Sequence, residues 1–143
     1  MRRLTNKARE EKYGSPLKKT TLDLVEGIEL TTDAGGERVK YLAHASLKFK
    51  VNQAIMIASR EMHEWPDDIQ GFNVRRVRGG KTWSLHSWAL AWDIFAKDGP
   101  VVDPITGHRT MSSEWFRIAA EELGGVWGGT FSKPDVHHLE YPY

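Results

Sequence analysis

An aspartate sits in the middle of the most apolar stretch of this chain. Residues 89–96 read Ala-Leu-Ala-Trp-Asp-Ile-Phe-Ala and are closed off by Lys97-Asp98-Gly99-Pro100. Gly and Pro cut the run too short for a helix, so it is expected to form a buried strand. An unpaired carboxylate inside such a strand is very costly, so Asp93 must find a cation, hydrogen-bond donors or a metal ion. Any fold this chain adopts has to satisfy that one position.

The candidates for satisfying it are limited. The 143 residues contain no cysteine, which excludes a disulfide scaffold, a thiol nucleophile and a Cys-ligated metal site. A metal site must draw on His, Asp and Glu, and six histidines are available: His44, His63, His86, His108, His137 and His138. With 40% apolar and 27% charged residues the chain suits one domain, 1–143, able to bury a real core. No apolar run approaches the roughly 20 residues of a membrane helix, so no membrane insertion is expected. Twenty basic residues against nineteen acidic ones give a net charge of +1, which does not mark a nucleic-acid binder. The charge is uneven, however: residues 1–20 hold seven Lys or Arg and two Glu. Residues 1–40 therefore read as a basic N-terminal arm, extended or loosely helical, on the domain. Its first residues carry no apolar segment of the kind that marks a secretory signal.

Periodicity predicts a helix from Ala43 to Trp65, with Leu47, Val51, Ala54, Ala58, Met62 and Trp65 on one face and Pro66 as its stop. Ile69 to Val77 reads as a strand and residues 78–87 as a glycine-containing loop. A second helix follows Ser112 or Ser113 as N-cap, buries Trp115, Ile118, Ala119 and Leu123, and ends at Gly124-Gly125. Val126-Trp127 and His138 to Tyr141 are expected as two closing strands. The sum is an α+β fold whose small, mostly antiparallel sheet is flanked by helices. No internal repeat or low-complexity tract is evident.

Two segments carry chemistry. In residues 84–93 a loop histidine, His86, precedes Asp93 by seven positions; in residues 135–140 Asp135 precedes His138 by three. His86, Asp93 and His138 would offer Zn2+ two imidazoles and a carboxylate, leaving the fourth tetrahedral position open, as in catalytic sites. Asp135 would serve as general base, and an arginine among Arg75, Arg76 and Arg78 would hold an oxyanion or a substrate carboxylate. Trp83, Trp88, Trp92 and Trp127 lie in or near these segments and suggest either a cleft wall or ordinary core.

These residues resemble a known family. Gly71-Phe72-Asn73-Val74-Arg75 through Asp93 is similar to the G-[YF]-N-x-R … S-x-H-x-x-G-x-A-x-D signature of the zinc D-alanyl-D-alanine carboxypeptidases and L-alanyl-D-glutamate endopeptidases. That group includes small phage endolysins and shares its metal core with lysostaphin-type peptidases and the hedgehog domain. Trp127-Gly128-Gly129 … Asp135-Val136-His137-His138-Leu139-Glu140 resembles the W-G-G … D-x-x-H-F-E ending. The likeness runs from about residue 49 to residue 141 and leaves the arm unmatched. It implies His86, Asp93 and His138 as Zn2+ ligands, Asp135 as base and Arg75 as the oxyanion or substrate arginine. With a shifted loop register Arg78 would take that place. Ser84 is implied as a residue orienting the first ligand. Two positions depart: Ala89 stands where the family has glycine, and Leu139 where it has an aromatic.

The remaining candidates have plainer readings. His137 sits at the cleft edge as a substrate contact, or is simply solvated. His63 is an exposed helix-end residue, and His44 and His108 are surface residues. Glu140 orients a neighbour by hydrogen bonding, and Asp103 forms a turn. Trp88 and Trp127 are candidates for substrate contact or for support of the ligands. The expected function is hydrolysis of an amide bond in the peptidoglycan stem peptide or cross-link by a monomeric zinc peptidase. The setting expected is a phage endolysin held in the host cytoplasm until a holin releases it to the wall. The rivals are a non-catalytic zinc-binding module, which has no need of Asp135, and a His-metal nuclease.

Overall fold

The computed structural model describes residues 1–18, 24–31, 38–96, 101–102 and 109–143, with side chains described outside 19–38 and 97–110. The fold is α+β, with three α-helices and an antiparallel four-stranded sheet among the described residues.

The chain begins with helix α1 (Asn6–Tyr13), capped by the Thr5 side chain, which accepts from Ala8 N–H. Strands β1 (Leu24–Thr31) and β2 (Arg38–His44) form an antiparallel pair. In the segment expected as an extended or loosely helical arm on the domain, residues 6–13 are helical, 24–31 are strand, and Tyr13 is buried in the core. The burial of Val39, Tyr41 and Ala43 at every second position identifies β2 as a strand. For the same reason the expected helix from Ala43 starts later. His44 caps a short 3-10 turn (Ala45–Leu47), and α2 runs Lys48–Met62. It ends not at Pro66 but at His63, whose backbone turns left-handed (φ 53°). Val51, Ala54, Ile55 and Ala58 form its buried stripe.

Helix α3 (Ser113–Leu123) follows its local signals closely. Ser112 Oγ accepts from Trp115 N–H, and Gly124 closes the helix with φ 68°. Trp115, Phe116, Ala119 and Leu123 are buried in the core, and the Trp115 indole donates to Ser59 Oγ of α2 at 3.3 Å.

The sheet has the order β3-β4-β8-β7. Strand β3 is only Asp68–Gln70; the expected strand through Val77 gives way to irregular chain that pairs again at Arg76 and Trp83. Strand β4 (Ala91–Phe95) is the expected buried strand and lies between β3 and β8 (His138–Glu140). Strand β7 (Val126–Trp127) pairs with β8 at the edge. Two further two-residue strands, β5 (Val101–Val102) and β6 (Arg109–Thr110), pair with each other. The expected turn at Asp103 and the reading of His108 lie outside the described residues. His44 is not at the surface: it is 6% exposed, with Nδ1 2.8 Å from Ser46 Oγ. His63 is exposed, as expected. No helix among the described residues is long and apolar enough to cross a membrane.

Candidate metal centre

The register of the sheet sets Asp93 on β4 directly opposite His138 on β8. A short 3-10 turn, Leu85–Trp88, brings His86 to the same carboxylate. Ser84 starts that turn: its hydroxyl accepts from His86 N–H at 3.3 Å, so it orients the backbone that carries the imidazole. The turn ends at Ala89, which is left-handed at φ 55°. Glycine meets that conformation without the Cβ penalty that an alanine carries there.

Three polar side chains thus converge from three elements. His86 Nε2 lies 3.3 Å from Asp93 Oδ2, and His138 Nδ1 lies 3.2 Å from Asp93 Oδ1. One potential ligand atom from each of the three falls within 4.8 Å of the others. The remaining ring nitrogens are held from outside. His86 Nδ1 sits 2.9 Å from the Gly71 carbonyl and His138 Nε2 sits 2.9 Å from Glu140 Oε2. Donation at both contacts would leave the lone pairs of His86 Nε2 and His138 Nδ1 for a bound cation; without one, His138 Nδ1 is hydrogen-bonded to Asp93 Oδ1. His86 Nε2 is buried and has no hydrogen bond among the described residues. Two imidazoles and a carboxylate whose free donor atoms face one point fit a divalent metal such as Zn2+.

The electrostatics follow from the same contacts. Burial pushes the Asp93 carboxyl up, but the imidazoles of His138 and His86 outweigh it and hold the group well below the usual carboxylate range. Burial lowers His138, yet Asp93 and Glu140 on its two sides raise it to about 9. Glu140 is buried, which raises it, but His138 and Arg3 bring it below its ordinary value. Its expected role as an orienting neighbour matches where it lies.

Asp135 is exposed and precedes His138 in a tight turn, its carbonyl accepting from His138 N–H at 3.2 Å. Asp135 N–H donates to the Gly128 carbonyl at 2.9 Å. A Cβ at Gly128 would stand 2.4 Å from the Asp135 carbonyl oxygen and 2.8 Å from His138 Cβ, so this close approach requires glycine. Arg75 is exposed and lines a cavity of about 340 Å3 together with Gln70, Phe72, Asn73, His86 and Asp93. Its backbone is pinned on both sides, since Arg75 N–H donates to Ser87 Oγ at 3.1 Å and Ser84 N–H donates to its carbonyl at 2.8 Å. Arg76 instead stacks on Trp83, with its guanidinium carbon 4.0 Å from the ring centroid.

Trp88 is fully buried and donates to the Gly14 carbonyl at 2.8 Å, so it is core rather than cleft wall. Trp92 is likewise buried, its indole on the Leu42 carbonyl. Trp127 stacks on Phe116 and donates to the Val136 carbonyl at 2.9 Å, bracing the segment that leads to His138. It lines a separate groove of about 600 Å3 beside α3, which contains no member of the His86–Asp93–His138 group. His137 is 7% exposed with its ring 4.6 Å from that of Phe95, so it is not solvated. The sequence motif contains Gly71 without assigning it a role, and Ser87 was missed. Gly71 stands at the head of the Gly-Phe-Asn run, and a Cβ there would meet the Leu42 carbonyl at 2.3 Å. Ser87 carried no signal beyond its place beside His86.

No curated protein and no solved structure is significantly similar to the chain. Residues 78–141 match the family model described as D-alanyl-D-alanine carboxypeptidase. The matched stretch includes His86, Asp93, Asp135, His138 and Glu140 and stops short of Arg75, and it supports a peptidase.

Proposed function

We propose that this chain is a zinc-dependent peptidase that hydrolyses an amide bond in the peptidoglycan stem peptide or cross-link. The observation that carries the reading is the convergence of His86, Asp93 and His138, with the outward nitrogen of each imidazole already engaged. The match over residues 78–141 supports the peptidase class.

His86 Nε2, one Asp93 oxygen and His138 Nδ1 would hold Zn2+. When bound, the ion supplies Lewis acidity that polarises the scissile carbonyl and eases deprotonation of water. Asp135 accepts a proton from the attacking water and passes it to the leaving amine, a role its exposed position before His138 permits. Arg75, on the wall of the cavity that reaches His86 and Asp93, donates to the developing oxyanion or to a substrate carboxylate. Phe72 and Asn73 of the same cavity are the residues a bound peptide would meet next. A lytic role of the endolysin type is part of this proposal.

Mass spectrometry of purified peptidoglycan incubated with the protein, with and without a chelator, tests the reading. Chelator-sensitive new peptide termini are expected, and their mass identifies the bond as L-Ala–D-Glu or one involving D-Ala. Stoichiometric zinc binding without new termini would favour the non-catalytic zinc-binding module instead.

A further inference from the structure

Glu140 holds His138 with one oxygen only. Oε2 meets the imidazole Nε2 at 2.9 Å, while Oε1 is engaged by the Arg3 guanidinium. The terminal torsion of a glutamate is broad, so a carboxylate held at a single oxygen can rotate away from its partner. A second contact on the other oxygen removes that freedom. The Arg3 guanidinium carbon also lies 5.8 Å from the Phe131 ring centroid, and that centroid is 5.7 Å from the His138 ring. Arg3 therefore meets two separate groups that each contact His138.

The approach of Arg3 is built into the fold. Leu4 N–H donates to the Pro142 carbonyl at 3.0 Å, laying the start of the chain beside its end. Arg9, 5% exposed, donates to the Leu4 carbonyl at 2.8 Å and to the Pro142 carbonyl at 3.1 Å. The Tyr13 hydroxyl donates to the Tyr143 carbonyl at 2.7 Å. The Trp88 indole, in the turn that carries His86, donates to Gly14 at 2.8 Å. The first fourteen residues thus fasten both histidine-bearing segments, although the family match begins only at residue 78.

We infer that Arg3 is a positioning residue of the metal centre, fixing the Glu140 carboxylate so that His138 keeps Nδ1 directed at the ion. This rests on the zinc reading of His86, Asp93 and His138. Loss of an outer partner of a ligating histidine typically weakens metal binding by about 10- to 100-fold, and Arg3 acts one step further out.

The test is the zinc affinity of full-length wild type, Arg3→Ala, Arg3→Lys, Glu140→Gln and the Arg3→Ala/Glu140→Gln double variant, by competition with a chromogenic chelator. Urea midpoints of the metal-free proteins accompany it. Arg3→Ala is expected to bind zinc about tenfold more weakly, Arg3→Lys to recover most of the loss, and the double variant to bind no worse than Glu140→Gln. If Arg3→Ala cannot be purified folded, Arg3→Gln supplies the same comparison. Affinity of the charge-free Arg3 variant within about twofold of wild type would overturn the inference, as would a loss that persists in the Glu140→Gln background. A wild type that binds no zinc would overturn the metal-centre reading and the Arg3 role together.

Discussion

The two histidine-bearing segments reach the same carboxylate by different means. His86 is set locally: Ser84, two residues earlier, caps its turn, and a neutral carbonyl from Gly71 takes its outer nitrogen. His138 is set from a distance: its outer nitrogen faces the Glu140 carboxylate, which is in turn engaged by Arg3, 137 residues away in the chain. The first support is a dipole and the second a charge, and the second carries a proton linkage through His138. The direct partners of the first imidazole and its turn lie within fifteen residues of it, whereas the support of the second runs to the far end of the chain.

The largest expected effect lies outside both supports. Under the proposed mechanism, Asp135→Asn should lower turnover of peptidoglycan by about 100- to 10,000-fold while zinc affinity stays near wild type, because a general base would act on the reacting water and not on the ligand set. Zinc competition and product analysis on the same preparation check this, and parallel loss of zinc would show that Asp135 acts through the metal site.

Removing the charged support comes next. Glu140→Gln should weaken zinc binding by about 10- to 100-fold, read by chelator competition. An unchanged affinity would mean that the two supports are equivalent and that the carboxylate adds nothing.

The proton linkage sharpens the same contrast. In metal-free protein the folded-state pKa of His138, about 9, lies above its ordinary value of 6.5. Its ion pairs therefore contribute stability fully below about pH 6.5, and that contribution is lost as pH rises through about 9. The urea midpoint of metal-free wild type should fall across this window by more than that of His138→Gln. Zinc competes with the same proton, so zinc affinity should climb over this range. Parallel midpoint curves for the two proteins would remove the linkage.

The smallest effect concerns the local support. Ser84→Ala removes one capping bond and should cost about 1 kcal/mol of stability, measured by urea denaturation, with only a few-fold change in zinc affinity. A loss as large as that of Glu140→Gln would erase the distinction between the two segments.

The same contrast explains what was legible in the sequence. Helix α3, with Ser112 before it and Gly124 after it, and strand β4, cut short by Gly and Pro, carry their boundaries in adjacent residues. The convergence of His86, Asp93 and His138 was readable because their spacing resembles a known motif. The start of α2 was not, since Tyr41 and Ala43 extend an apolar pattern that also suits a helix, and pairing with β1 decides for a strand. For Trp88 and Trp92 the sequence left cleft wall and core open, and their indole bonds to the distant Gly14 and Leu42 carbonyls, partners no local pattern reveals, place both in the core. Arg3 was invisible for the same reason: the contact that defines it joins the two ends of the chain.

In the proposed site His86, Asp93 and His138 together hold one zinc ion. Isothermal titration of zinc into metal-stripped wild type and into Asp93→Ala tests it most directly. One zinc per wild-type chain and loss of that binding in a folded Asp93→Ala protein are predicted. Stoichiometric zinc uptake of wild-type affinity by Asp93→Ala would contradict it.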